Sequence, residues 1–324
     1  MKLLFPKNLN NVKLHGKVLC DDKSLSLVWS SSGVSFCAEF GGDIYAELQF
    51  VGNADFSDSY TKIAVFIDEG KQPDKIIDMC DRKEYLLALG LPFGTHRITV
   101  LKINEKVRGT VKIFGIGFDG RLEAPPELNR LNMEFLGDSL TAGSDLFARG
   151  DCDDDFVCAQ DSTRSFASVA ANILNADYSV IARSGIRTSD WEWLVNLPEY
   201  LNERNPDIVV IGLGTNDQSQ LEKKLRTPEQ QITLVNTMLQ NVRKKYGNAK
   251  ILWVYGLMLT ALEDKYDRLI SKPVSEFAKL DGNTYFYMLP KNNDGNGGHA
   301  SPEGHRKAGE LLADYISQNL IKFK

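Results

Sequence analysis

A serine stands at the end of a predicted strand, where it could act as a nucleophile. The residues from Leu131 to Leu136 form a mostly apolar run, Gly137-Asp138-Ser139 follows directly, and Gly143 comes four residues later. This order predicts a buried strand that delivers Ser139 to a tight turn at the carboxyl edge of a parallel sheet, where open α/β folds bind their ligands. A hydroxyl held there is a candidate nucleophile. Asp138, its neighbour, is a candidate supporting residue.

A serine nucleophile needs a general base, and histidine is the usual base near neutral pH. The chain has four histidines, of which His15 and His96 lie in the first half and His299 and His305 lie near the C-terminus. His299 stands on a Gly-rich loop just before a predicted helix, at the same sheet edge as Ser139, so it is the predicted base. His305 falls in the first turns of that helix, where a packed or capping histidine is the simpler interpretation.

Acyl transfer also needs hydrogen-bond donors for the developing oxyanion, each worth about 3–4 kcal/mol of barrier. The run Gly212-Leu213-Gly214-Thr215-Asn216-Asp217 follows the most apolar predicted strand. Asn216 can supply a side-chain N–H, and Asp217 is expected to brace the loop by accepting hydrogen bonds from backbone. A second loop follows the strand predicted at 177–183, and there Gly185 can offer a backbone N–H.

The part of the chain that precedes these residues in sequence has the pattern of short β-strands. Apolar residues alternate with others over 34–40 and again over 44–50, and turn-forming residues separate further β-rich runs. The pattern predicts a β-sandwich or jelly roll over residues 1–120. A linker is predicted over 121–130, where Pro125-Pro126 opposes both helix and central strand.

After the linker, strand-like runs alternate with helical patterns. This alternation predicts a three-layer α/β/α fold over residues 131–324. Thr227-Pro228 and Ser301-Pro302 each combine a cap residue with a proline in the first turn, which indicates two helix starts. Strands are predicted at 131–136, 177–183, 207–213, 250–256 and 284–289.

The composition is that of a globular protein with sizeable cores. The chain has 324 residues, 43% hydrophobic and 25% charged, which is comfortable for two domains. Its net charge of −5 gives no electrostatic footprint for nucleic acid or an anionic membrane, and a neutral substrate such as a sugar suits it better. No apolar stretch has the length of a membrane span or a signal peptide, so a cytoplasmic location is expected; export after removal of a signal is the alternative.

Four blocks in a fixed order give the chain a family resemblance. The order Gly-Asp-Ser-Leu, then Gly185, then Gly-Thr-Asn-Asp, then a histidine near the C-terminus resembles the SGNH (GDSL) hydrolase family, from about Arg130 to the end. The resemblance implies a flavodoxin-like sheet, no metal or cofactor, Ser139 as nucleophile and His299 as base. It also implies an oxyanion hole made of the backbone N–H groups of Ser139 and Gly185 and the side chain of Asn216.

The β-rich first part extends the resemblance to nearly the whole chain. A β domain, a linker and then a strand into Gly-Asp-Ser is similar to carbohydrate esterase family 2. That similarity implies an N-terminal jelly roll and an acetylated carbohydrate as substrate, with acetyl groups removed from hemicellulose sugars such as xylan or mannan. Trp191 and Trp193 follow the Gly185 loop and are candidates to stack on a sugar ring. Two partly buried core tryptophans are the alternative.

One position departs from the family pattern. SGNH proteins usually carry an aspartate two or three residues before the catalytic histidine, where this chain has Gly297 and Asn296. Asp294 lies five residues before His299, too far for the usual geometry. We therefore expect a Ser-His pair in which a backbone carbonyl or Asn296 orients the imidazole, and we expect Asp294 to be dispensable. Such a third group fixes the tautomer and stabilises the imidazolium.

Two other functions fit the same residues. One is a serine hydrolase for a different ester or thioester, such as a lipid or acyl-carrier substrate, and the other is a carbohydrate-binding protein with a decayed site. No cluster of ligands has the spacing of a zinc site, and the acidic run over 151–155 fits a solvated loop better than a calcium site. Cys152 and Cys158 flank that run, either as a disulfide or as two free thiols.

Overall fold

The computed structural model shows two units, each built on its own sheet. It describes residues 2–52, 61–147, 159–258 and 263–321. The first unit comprises Met1–Asn129 and Glu199–Glu203, and the second comprises Arg130–Pro198 and Arg204–Lys324. The predicted boundaries placed the short segment Glu199–Glu203 in the second domain, whereas the structure places it in the first unit. Its hydrogen bonds explain the assignment, because Trp29 Nε1 donates to Tyr200 Oη at 2.6 Å and Leu201 N donates to Val18 O at 3.0 Å.

The first unit is an antiparallel sheet whose described strands follow the order β3-β4-β9-β5-β8-β6-β7, with β1 paired to β9, and β2 and β10 paired to β5. The predicted alternation is confirmed, because every second residue from Val34 to Leu48, apart from Gly42, is a buried core residue. Residues 121 and 122 were assigned to the linker, but Gly120–Leu122 pairs with β5 as a short strand, and pairing ends before the two prolines. The strands are β1 Lys2–Leu4, β2 Lys13–His15, β3 Val18–Cys20, β4 Leu25–Leu27, β5 Gly33–Val51, β6 Lys62–Ile67, β7 Lys75–Asp78, β8 Lys83–Lys102, β9 Thr110–Gly117 and β10 Gly120–Leu122.

The second unit is built on a parallel sheet in the order β12-β11-β13-β14-β15, which is the flavodoxin-like order. All five predicted strands are present, with small shifts at their ends, so the expected α/β class is confirmed. The strands are β11 Leu131–Gly137, β12 Ala176–Ala182, β13 Ile208–Gly212, β14 Lys250–Leu257 and β15 Thr284–Lys291. The helices are α1 Ser139–Ala142, α2 Phe166–Ile173, α3 Trp191–Val195, α4 Gln218–Glu222, α5 Pro228–Tyr246, α6 Glu263–Asp281 and α7 Pro302–Asn319.

Helices cover both faces of this sheet. Met133 and Phe135 of β11 share a core with apolar residues of α2 and α7. Glu134 lies between them in the strand and so faces the other way, where its carboxylate accepts a hydrogen bond from Tyr246 of α5. The unit therefore has the three predicted layers. Within the described residues, no helix combines the length and apolarity needed to cross a membrane.

Candidate active site

The turn after β11 holds Ser139 at the first position of α1. Asp138 caps this short helix, because its carboxylate accepts a hydrogen bond from Leu140 N at 3.0 Å. The helix ends at Gly143, where φ is 76° and an added Cβ would lie 2.3 Å from Asp161 O, so only glycine fits. Ser139 is 5% exposed. The turn thus presents its hydroxyl at the carboxyl edge of the sheet in a largely enclosed position.

His299 reaches this hydroxyl from the loop that precedes α7. Its Nε2 lies 3.0 Å from Ser139 Oγ, and the residue is 7% exposed. The loop is held by its own backbone, because His299 N donates to Asn296 O at 3.0 Å and Gly295 N donates to His299 O at 2.9 Å. Ser301 then caps α7 by accepting from Gly304 N at 3.1 Å. The nucleophile and base predicted from sequence are in hydrogen-bond contact.

The residue behind the imidazole differs from the expectation. Asp145 Oδ2 lies 2.8 Å from His299 Nδ1, and the Asp145 side chain is fully enclosed. The two atoms are at ion-pair distance. Asp145 comes from the loop that follows α1, in a left-handed backbone conformation with φ of 61°. The expected Ser-His pair without a carboxylate is therefore corrected to a Ser-His-Asp arrangement.

The candidates considered for this place lie elsewhere. Asn296 is exposed, and its described contact to His299 runs through its backbone carbonyl. Asp294 is exposed as well and accepts a hydrogen bond from Asn292 Nδ2 at 2.9 Å. Sequence reasoning missed Asp145 because it searched only upstream of His299. The available indication was an acid in Gly143-Ser144-Asp145, on the loop that follows the helix of Ser139.

The predicted oxyanion residues follow three neighbouring strands that end level with one another. Gly137 of β11 is in register with Ala182 of β12 and with Gly212 of β13. Asn216 Nδ2 donates to Ile186 O at 3.0 Å and lies 3.3 Å from Asp138 Oδ2, so this one amide links all three loops.

Gly185, a predicted oxyanion donor, and Asp138, a predicted supporting residue, have different surroundings. Gly185 has φ of 76°, and a Cβ there would meet only open space, which leaves its backbone accessible to a ligand. Burial raises the pKa of Asp138 to about 7, since a buried carboxyl favours its neutral form; the nearby Asp217 adds to the shift.

Asp217 connects the Asn216 loop to another segment of the site. It accepts hydrogen bonds from Thr188 N and Thr188 Oγ1, each at 3.0 Å, and forms an ion pair with Arg226. Burial raises its pKa above the usual carboxyl range, while the Thr188 amide and Arg226 oppose that shift. These contacts tie the loop after β13 to the segment that follows Gly185.

The remaining candidate residues take no part in the contact between Ser139 and His299. Trp191 and Trp193 are half-buried on α3, and the Arg183 guanidinium lies 5.4 Å from the centre of the Trp193 ring. His305 is wholly buried, and its Nδ1 accepts a hydrogen bond from Phe166 N at 3.1 Å, which fits a packed histidine. Cys152, Cys158 and the acidic run 151–155 lie outside the described residues.

The site has the parts needed for acyl transfer to serine. It combines a hydroxyl, a base in contact with it, a carboxylate behind the base and donors at the ends of adjacent strands. In the described ranges, no group of three or more His, Cys, Asp or Glu side chains is placed to hold a metal ion.

Comparisons with known proteins agree with this architecture. Residues 135–307 match the model of the GDSL-like lipase/acylhydrolase family, and residues 15–126 match that of the carbohydrate esterase 2 N-terminal domain. The structure of a family two carbohydrate esterase from Clostridium thermocellum, in complex with cellohexaose, superposes with a TM-score of 0.81 at 23% identity, over 95% of this chain and 99% of that one. This likeness confirms the fold class.

Two curated relatives share part of their length with the chain. The cellulase/esterase CelE of Acetivibrio thermocellus is 28% identical over 72% of this chain and 31% of its own length. An acetylxylan esterase / glucomannan deacetylase of Cellvibrio japonicus is 28% identical over 54% of each. The match thus spans less than two thirds of either relative. The resemblances stated from sequence are confirmed by these matches and by the two family models.

Proposed function

Because the chain belongs to the GDSL-like lipase/acylhydrolase family, we propose that it is a serine esterase that removes acetyl groups from hemicellulose-derived carbohydrates. The observation that carries this proposal is the contact of His299 Nε2 with Ser139 Oγ at 3.0 Å, with Asp145 Oδ2 2.8 Å from the other ring nitrogen. A nucleophile, a base and an orienting group in this order are the parts of acyl-transfer catalysis.

In the proposed reaction, His299 Nε2 takes the proton of Ser139 as Oγ attacks the acetyl carbonyl carbon. The oxyanion accepts hydrogen bonds from the backbone N–H groups of Ser139 and Gly185. It also accepts one from Asn216 Nδ2, which releases its longer contact with Asp138 Oδ2, at 3.3 Å, for this purpose. The intermediate then expels the sugar oxygen, which leaves with the proton from His299. Water attacks the acetyl-serine with the same base, and Ser139 recovers its proton as acetate departs.

Asp145 takes the role for which a backbone carbonyl or Asn296 was expected. Facing Nδ1, its carboxylate favours the tautomer that carries a proton there, so Nε2 is left as the basic atom. The negative charge also stabilises the imidazolium formed during each proton transfer. A buried acid in this place weighs against a decayed site that only binds carbohydrate, because that alternative was based on the missing aspartate.

The carbohydrate part of the proposal has separate support. The first unit matches the carbohydrate esterase 2 N-terminal model, and the names of both curated relatives include esterase or deacetylase activity. Trp191 and Trp193 keep part of their surface exposed and are proposed to stack on sugar rings. The net charge of −5 is compatible with a neutral polysaccharide.

The test is acetate release from acetylated xylan, acetylated mannan and acetylated simple sugars. We expect release by the wild type, none by Ser139→Ala, and undiminished release by Ser275→Ala, which changes an exposed serine of α6. On p-nitrophenyl esters of rising chain length, activity should be highest with acetate; a maximum at octanoate would contradict the acetyl specificity. Failure of a fluorophosphonate to label Ser139 in the folded protein would favour a binding function.

A further inference from the structure

A buried glutamine lies between two loops of the candidate active site. Gln160 Nε2 donates to Ser144 Oγ at 3.3 Å and to Ser184 Oγ at 3.2 Å, and the two hydroxyl oxygens are 3.1 Å apart. Gln160 and Ser144 are wholly buried. An amide nitrogen has two hydrogens, and here each hydroxyl takes one. The three side chains form a closed triangle of polar contacts.

The two serines stand directly before residues of the proposed machinery. Ser144 precedes Asp145, which faces the base, and Ser184 precedes Gly185, whose N–H is proposed to bind the oxyanion. The backbone beside Gln160 is fastened to the Asp145 loop on both sides. Asp161 N donates to Gly143 O at 2.8 Å, and Phe147 N donates to Ala159 O at 2.9 Å. Gln160 is therefore anchored on one loop and reaches the other with its side chain.

Both loops need such support. Asp145 has φ of 61°, a conformation that costs a non-glycine residue free energy and persists only where its surroundings hold it. Gly185 has φ of 76° with open space around the position of a Cβ. The strands β11 and β12 fix where these loops start and leave their tips to be held by other contacts. Catalytic groups that move by about 1 Å lose rate steeply.

We propose that Gln160 is a positioning residue that couples the loop of Asp145 to the loop of Gly185, so that base orientation and oxyanion binding are set together. This inference rests on the proposed esterase function. It assigns Gln160 no contact with substrate. The residue acts through Ser144 on the group behind His299 and through Ser184 on the oxyanion donor.

The first experiment replaces Gln160 with methionine, which keeps the length of the side chain and removes both donors. Gln160→Met should lower kcat for an acetyl ester on the order of tenfold to a hundredfold, with KM within about twofold of wild type. The matched control is Ser179→Ala. It removes a buried hydroxyl of β12 that donates a hydrogen bond to Glu134 Oε2 of β11 at 3.0 Å. It should lower the unfolding midpoint in urea and leave kcat unchanged.

The second experiment measures coupling between the loops. Ser144→Ala and Ser184→Ala should each lower kcat, and the double variant should lose clearly less than the product of the two losses, because either change breaks the same link. Ser184→Thr, which restores the hydroxyl at a half-buried position, should recover most of the loss.

Three results would overturn the positioning role. The first is a Gln160→Met enzyme with kcat within twofold of wild type, and the second is a decrease in kcat no larger than that in Ser179→Ala. The third is a pair of serine variants whose effects on kcat multiply fully in the double variant. None of these concerns the proposed function itself. A wild-type chain that releases no acetate and is not labelled by a fluorophosphonate contradicts that function instead.

Discussion

Replacing Asp145 by asparagine gives the sharpest test of the site. The change keeps the volume of the side chain and removes the charge that lies 2.8 Å from His299 Nδ1. At that distance and an effective dielectric constant of about 20, the attraction between a carboxylate and an imidazolium is about 6 kcal/mol. This is an upper limit to the loss, because an amide oxygen can still face the ring after the substitution.

A loss of about 4 kcal/mol of that stabilisation corresponds to roughly a thousandfold decrease in kcat. We therefore expect Asp145→Asn to lower kcat about a thousandfold at neutral pH, with little change in KM. Without the carboxylate, the imidazolium formed in each proton transfer is less stabilised, which slows the chemical step.

The assay is initial-rate hydrolysis of an acetyl ester at neutral pH, with Asp294→Asn as matched control. Asp294 is exposed and contacts Asn292, so its replacement should leave kcat within about twofold. The reasoning fails if Asp145→Asn keeps more than about a tenth of wild-type kcat while His299→Ala is inactive. It also fails if Asp294→Asn loses as much activity as Asp145→Asn.

Three further predictions concern the surrounding residues. Asn216→Ala should lower kcat on acetyl esters by about a hundredfold to a thousandfold with KM little changed, since one oxyanion donor is worth about 3–4 kcal/mol. Burial, with a smaller contribution from His299, lowers the pKa of His305 to about 3 from 6.5, so the folded state binds fewer protons than the unfolded state between these values. The free energy of unfolding should therefore fall by up to about 1.4 kcal/mol per pH unit as pH drops through that window. The free energy of unfolding, measured in urea at several pH values, should depend less steeply on pH in His305→Asn. The asparagine Oδ1 can still accept the hydrogen bond from Phe166 N. Trp193→Ala should raise KM for acetylated oligosaccharides several-fold and leave KM for p-nitrophenyl acetate unchanged, and equal effects on both substrates would contradict sugar stacking.

The parts of the site that follow strands could be predicted from sequence because the strands themselves could. Apolar runs locate β11, β12 and β13, and parallel strands bring the residues that follow them to one edge of the sheet. Ser139, Gly185 and Asn216 stand immediately after such runs, so their proximity follows from topology. The family resemblance then suggested a role for each. His299 was selected by a different argument, the scarcity of histidines in the second half.

Asp145 was not predicted from the sequence because the conformation of a loop sets its position, and no periodic pattern of residues indicates that conformation. It lies six residues after Ser139 in sequence. Its orientation requires a helix of one turn, a left-handed glycine and a left-handed Asp145 in succession, and local propensity specifies no such path. The segment Glu199–Glu203 escaped for a similar reason. Its place in the first unit depends on contacts with Trp29 and Val18, which are distant in sequence.

The origin of the carboxylate changes how the site is held together. An acid on the histidine loop would move with the imidazole, whereas Asp145 lies in the loop that directly follows the short helix of Ser139, and the ring comes from the loop before α7. The distance between Ser139 and Asp145 is then set within one short segment, and only the ring has to be placed between them. That loop is in turn bonded to the segment of Gln160, and through it to Ser184 at the end of β12. Correct orientation of the base therefore depends on the loops after β11, β12 and β15 together. Changes at Gln160 should consequently affect kcat, although its amide hydrogen bonds go to Ser144 and Ser184.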